Sequence, residues 1–187
     1  MIITEDALPV QEAQVSMLRR LGASKDHIFI VLNNLAGTYD KLGRRELANP
    51  LRREVYAGWL ELLGEEDEAT LIAAANYAVS LVNLGRFEEA KALLRKTIPV
   101  ARRVFGESHE TMLRMKWTYA HSLYGDPGAT LENLREAVTT LEEIERTARR
   151  VLGGVHPLTA GIERTLLRKA RPLLRDRETP SSASGGT

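Results

Sequence analysis

Asn33 and Asn83, Trp117 and Tyr124, and a run of arginines at 164, 168 and 171 are the side chains with most to offer a ligand. Asparagine carries a donor and an acceptor on one short side chain, so it can hold a partner's backbone amide with little regard to sequence. Trp and Tyr supply the large anchors that dominate interface energetics. Guanidinium groups pair with acidic groups through a planar fork. Arg164, Arg168 and Arg171 are spaced i, i+4, i+7, which places them on one helix face. Bond-breaking chemistry has no comparable footing. His27, His109, His121 and His156 show no HExxH or other metal spacing. The chain has no cysteine, which removes disulfides, thiol nucleophiles and thiolate metal sites. Glu88–Glu89 and Glu142–Glu143 are adjacent in sequence, so on a helix they point apart as solvated charge rather than as an acid–base pair. No GxxxxGK[ST] phosphate loop occurs. The expectation is no catalytic residue, no metal and no cofactor.

The elements that must position these groups follow from a repeat. Asn34, Ala36, Leu42, Gly43, Arg44, Glu46 and Ala48 return 42 residues later as Asn76, Ala78, Leu84, Gly85, Arg86, Glu88 and Ala90. The next copy is offset by 47: Ala101, Arg102, Arg103, Val104, Gly106 and His109 return as Ala148, Arg149, Arg150, Val151, Gly153 and His156. The insertion falls at "YGDPGAT", 124–130, where Asp caps, Pro presets φ and Gly permits positive φ. Each unit reads as two helices, rich in Ala, Leu, Arg and Glu. First helices are expected near 26–42, 68–84, 110–124 and 157–171, and second helices near 46–62, 87–104 and 130–151. A lone second-type helix opens the chain at 7–20. Glycines mark helix stops, Ser24 and Ser108 are read as N-caps, and Pro157 suits a first turn. Ala36, Ala78 and Ala120 face Ala48, Ala90 and Ala137, which lets antiparallel helices approach closely. One hairpin cannot bury its apolar faces alone, whereas stacked copies can. The fold class is therefore all-α, a right-handed superhelical solenoid of antiparallel helix hairpins with first helices on the concave side. Its parts are an N-terminal extension (1–5), a repeat domain (6–175; units near 6–21, 26–63, 68–105, 110–152 and a final helix 157–175) and a flexible tail (176–187). Pro172 is expected to kink or end the last helix.

The small–Gly–small pattern, Ala36–Gly43–Ala48 and Ala78–Gly85–Ala90, resembles the tetratricopeptide repeat. The 42-residue period resembles the longer form of kinesin light chains, carried here by "LNNLAGTYDKLGRRELA" (32–48), "NYAVSLVNLGRFEEA" (76–90) and "LGGVHPLT" (152–159). The resemblance spans about residues 6–175. The third unit departs from it at its longer turn, and the fourth lacks a second helix, the Asn and the small residue. The kinesin-binding heptad segment is absent, so a motor role does not transfer. The resemblance implies a groove of first helices that holds an extended or helical peptide.

Aligned units place Ile30, Asn33, Gly37, Asp40 and Lys41 on that face in unit one, and Ile72, Ala75, Val79, Val82 and Asn83 in unit two. Unit three offers Arg114, Trp117, His121 and Tyr124, and the last helix Arg164, Arg168 and Arg171. Ile72, Val79 and Val82 form an apolar patch of the kind that has a partner. Asn34 and Asn76 match an inter-helix packing position and are expected to satisfy backbone or turn groups. Trp117 serves either as groove anchor or as core of the third hairpin, and the arginines either as site or as solvated face. His109 and His156 read as helix caps. With 43% apolar and 27% charged residues the chain is expected to fold in water, and no apolar run reaches the ~18 residues that span a bilayer. A net charge of +1 gives no global pull toward nucleic acid, and "RTARR" and "RKARPLLR" lack interleaved aromatics. The reading is a non-enzymatic scaffold that binds a protein or peptide, with no nucleic acid and no membrane insertion, in the cytoplasm. Its groove candidates are Asn33, Lys41, Ile72, Val79, Asn83, Trp117, His121, Tyr124, Arg164 and Arg168. The alternatives are a structural subunit packed in an assembly or homo-oligomer, and a piece of a longer repeat protein.

Overall fold

The computed structural model describes residues 7–179. The expected extension 1–5 and the tail residues 180–187 lie outside the described residues. Helices α1 (Ala7–Arg20), α2 (Lys25–Lys41), α3 (Arg45–Leu63), α4 (Glu68–Asn83), α5 (Phe87–Phe105), α6 (Glu110–Tyr124) and α7 (Leu131–Leu152) follow one another. Helix α8 (Pro157–Thr165) then runs through a π-helical segment (Leu166–Ala170) into α9 (Arg171–Glu178). Each helix packs on its successor, and α4 also packs on α6, which is the stacking of a solenoid of hairpins. Among the described residues there is no strand.

The hairpins close as the small residues require. Ala36, Ala48, Ala78, Ala90, Ala120 and Ala137 are all fully buried, so helix backbones meet without a side chain between them. The short turns use glycine as a left-handed stop: Gly43 and Gly85 have φ of 75° and 71°. Around them Arg44 N–H donates to Tyr39 O and Arg86 N–H to Leu81 O, both at 2.9 Å, in Schellman geometry. The starts of α4, α6 and α8 are capped by Asp67, His109 and His156, each side chain accepting from the amide two residues on. Both histidines are thus caps. Ser108 is not, because the helix begins one residue later, and Ser24 makes no side-chain cap bond. In the inserted turn Asp126 Oδ1 accepts from Gly128 N–H at 2.8 Å, and Gly128 has no positive φ.

Successive units are stitched by a polar residue that follows the small one. Asn49, buried, donates to Ser80 Oγ at 3.1 Å and accepts from Arg86 Nη1 at 3.0 Å. One unit on, the equivalent Lys91 is buried and pairs with Glu88 and, at 3.3 Å, with Asp126. Burial disfavours the Lys91 ammonium, but the two carboxylates more than offset that and its pKa is raised. Both stitches end in the turn of the following unit.

The last helix does not end at Pro172. It continues to Glu178, so residues 176–178 are helical rather than tail. Proline has no N–H, and its ring crowds the carbonyl four residues back. The π turn before it removes that conflict by bonding Arg171 N–H to Leu166 O, five residues back. The whole stretch from α8 to α9 lies antiparallel along α7. Arg149 pairs with Glu163 (3.3 Å), Glu142 with Arg171 (2.8 Å) and Arg135 with Glu178 (2.9 Å). On α7 these charges are spaced seven apart. On the last helix the first gap is eight, and the wide π turn absorbs the extra residue and keeps the register.

Candidate partner-binding groove

First helices α2, α4, α6 and α8 lie side by side, joined by side chains. Arg52 on α3 reaches Asn33 Oδ1 (2.6 Å) and Asp40 Oδ2 (2.9 Å) on α2. Asn76 on α4 donates to Asn33 Oδ1 at 3.4 Å and accepts from Arg114 Nη2 on α6 at 3.4 Å. Trp117 Nε1 on α6 donates to Thr165 Oγ1 on α8 at 3.2 Å. A polar ladder thus crosses the face that the first helices share. Asp40 Oδ1 and Arg52 Nε are buried there and have no protein partner.

The ladder corrects two readings. Asn76 does not satisfy a turn group; it bridges neighbouring units, and Asn34 is exposed. Asn33 is half-buried, with its carbonyl oxygen already engaged by Arg52 and Asn76. Arg52 is a residue that sequence reasoning passed over. The signal was present: Arg52 stands where the other units place Leu94 and Leu141, both fully buried. An arginine at a core leucine position must reach for something, and here it is the Asp40–Asn33 pair.

The remaining candidates separate by exposure. Val79, Trp117 and His121 come together with Arg114 and Thr118 around a cavity of about 250 Å³. Ile72, Lys41 and Asn83 are exposed, and the backbone carbonyl of Asn83 accepts from Arg45 Nη1 at 3.5 Å. Val82 and Ala75 are buried at 6% and 4% exposure, so the apolar patch of unit two reduces to Ile72 and part of Val79. Tyr124 is 8% exposed and belongs to the core around α7, with its phenol pushed up to about 12 by burial. It backs His121, whose ring stacks on it at 5.0 Å. Trp117 packs on Gly161, where an added Cβ would lie 2.8 Å from the indole, so it joins units three and four and also lines the cavity.

Charge gathers at the far end. Arg164 and Arg168 are exposed and form no ion pair among the described residues. Lys169 lies close enough to His121 to add to the lowering of its pKa, which burial mainly causes. Arg171 leaves this face: the wide turn before it directs its guanidinium to Glu142 on α7. Among the described residues no group of three or more His, Asp or Glu is placed to hold a metal. Nor is any helix long and apolar enough to cross a membrane.

Comparison with known proteins agrees with this architecture. A tetratricopeptide repeat family profile matches residues 27–103. Two crystal structures of Podosopora anserina nearly identical TPR-like repeats, named for kinesin light chain, superpose with TM-scores of 0.71 and 0.68. Both are 19% identical, and each match covers 96% of this chain and 89% of that one. The structure of BtubC (BKLC) from P. vanneervenii matches with a TM-score of 0.59 at 13% identity, covering 97% of this chain and 77% of that one. At these identities the likeness is one of fold. No curated protein matches the chain in sequence.

Proposed function

From a chain that carries tetratricopeptide repeats and folds as the kinesin light chain-like repeat structures do, we propose a non-enzymatic scaffold that holds a segment of a partner protein along its first helices. The observation that carries this reading is the arrangement between α4 and α8. An open cavity with an aromatic and an aliphatic wall, Trp117 and Val79, lies where α6 meets α8, and the helix that continues from α8 carries Arg164 and Arg168, exposed and without an ion pair among the described residues. Such a site takes an apolar side chain in the cavity and acidic groups next to it. Further along, the half-buried Asn33 keeps its side-chain amide N–H groups for a partner's backbone while Arg52 and Asn76 hold its carbonyl oxygen. Lys41, Ile72, Asn83 and His121 border the same path, and Tyr124 supports it from behind. No step needs a catalytic group or cofactor.

Site-specific photo-crosslinking tests the reading. A photoreactive residue at Ile72 or Val79 is expected to capture a partner, and one at the exposed Lys96 on α5 is not. Arg164→Glu with Arg168→Glu, two exposed changes that leave packing intact, is expected to reduce capture at Val79 by roughly tenfold or more. Equal capture from Lys96, or capture indifferent to the charge reversal, moves the contact off the groove.

A further inference from the structure

Helices α5 and α7 both pack on α6, and an open cleft of about 570 Å³ runs between them. None of its residues lines the cavity at Trp117. Arg102 of α5, Lys116 of α6, and Arg146 and Arg150 of α7 line it, together with the carboxylates of Glu107 and Glu143. Glu107 is shared by two cations, Arg102 at 2.5 Å and Lys116 at 2.7 Å. Arg146 and Arg150 stand one helical turn apart, both exposed, and form no ion pair among the described residues. Arg146 Nε donates to the Glu142 carbonyl, which leaves the rest of its guanidinium free. Glu143 forms no ion pair among the described residues either.

The preceding junction, where α3 and α5 flank α4, is a built-in control, because the repeat offsets of 42 and 47 give each lining residue a counterpart there. Arg102 stands where that junction has Leu60, Lys116 where it has Ala74, and Arg146 where it has Pro99. Arg150 corresponds to Arg103, which Glu66 neutralises at 2.9 Å. The counterpart of Glu66 is Ser108, so Arg150 has no such acid. One change runs the other way, from Lys96 to Glu143. Packing does not ask for these cations, since the earlier junction closes with Leu, Ala and Pro. Ala74 is fully buried, and a lysine at the same place carries a desolvation cost that packing does not return. We infer that the cleft between α5 and α7 is a second docking site, which takes an acidic segment of a partner protein with its carboxylates against Arg146 and Arg150. The cleft has the length for a segment: a further cavity of about 250 Å³ shares Arg102, Lys116 and Glu143 with it and continues past Ile98 and Pro99 to Tyr119. A single-stranded nucleic acid needs free aromatic faces to stack on. Tyr119, the ring available here, has Arg95 over it and its hydroxyl bonded to Arg95 and Glu136. Because this site and the groove use different residues, one molecule can hold two segments at once.

Fluorescence anisotropy of labelled deca-glutamate at low salt tests this. The full-length chain carries Arg164→Gln and Arg168→Gln throughout, which removes the groove's cations and makes the result independent of the groove. This chain is expected to bind the probe. Adding Arg146→Gln and Arg150→Gln, both exposed, is expected to weaken binding by roughly tenfold or more. Adding Ser108→Glu instead, which supplies the acid that Arg103 has in Glu66, is expected to weaken it by roughly threefold. Arg20→Gln with Arg53→Gln removes the same charge from exposed positions on α1 and α3, and is expected to leave binding within about twofold. A chain that does not bind the probe overturns the site, as does a loss at Arg20 and Arg53 equal to that at Arg146 and Arg150, which marks attraction by overall charge. Labelled deca-thymidine that binds more tightly than deca-glutamate, and is released by the Arg146 and Arg150 changes, overturns the assignment to a protein segment.

Discussion

His121 sits between Tyr124, Phe87 and the charge of Lys169, half out of water, and those surroundings lower its pKa below the ordinary 6.5. Burial is the larger cause, the lysine the smaller. The sign of the consequence is fixed. The unfolded chain takes up the proton first as pH falls, so the folded state loses stability beginning near the unfolded value and continuing down to the folded one. Above that window the residue costs nothing. As pH falls through the ordinary histidine value of about 6.5 and below it, the urea midpoint of wild type is expected to drop by more than that of His121→Gln. Equal weakening in the two proteins assigns the acid sensitivity to other groups. Because the ring also lines the cavity beside Trp117, protonation adds a positive charge where acidic groups are proposed to bind, so acid strengthens the site while it weakens the fold.

At the scale of the element, the tightest fit is between α2 and α3. Gly58 on α3 leaves room for the ring of Phe29, which also meets Trp59 edge-on at 5.2 Å; a Cβ at 58 would lie 2.0 Å from that ring. Alanine is worth about 1 kcal/mol more than glycine in a helix interior. Overpacking of a core costs about 1–3 kcal/mol. The clash at 2.0 Å lies at the costly end, so Gly58→Ala is expected to destabilise by about 1–2 kcal/mol net in a thermal melt. A second change, Phe29→Leu, is expected to recover part of that loss. Alanine that stabilises at position 58 shows that α3 can move and that the contact is not tight.

Most element boundaries were legible in the sequence, because the glycine stops recur at fixed offsets and each stop needs the same backbone. Exposure was less legible. Tyr124 aligns with groove positions, but the five-residue insertion begins beside it and its Ala129 joins Tyr124 in the buried cluster around α7, which no periodicity reports. Asn76 does sit between helices as expected, but its partners were misjudged for a related reason. Its partners are on two neighbouring units, and a register within one unit says nothing of what lies across the next. Pro172 was expected to kink or end the helix; it does not end it, because the rule assumes i−4 bonding and a π turn sidesteps it just before the proline.

For the whole molecule, stability is a sum over neighbouring units, and the stitches decide which neighbours are acceptable. Asn49 is addressed to an arginine in the next turn, Arg86; Lys91 is addressed to an acid, Asp126. The units are therefore not interchangeable, and the chain can lengthen by gene duplication at one junction but not the other. Copying residues 26–67 in tandem presents the first Asn49 with a copied Arg44, the same chemistry it already meets in Arg86. Copying 68–109 instead sets the first Lys91, a buried ammonium, before a copied Arg86 in place of Asp126. The first insertion is expected to keep or raise the unfolding midpoint, and the second to lower stability by about 1–3 kcal/mol relative to it. Substituting Asp for the copied Arg86 is expected to rescue the second. Read this way, the turn residues record the order in which such a chain can grow.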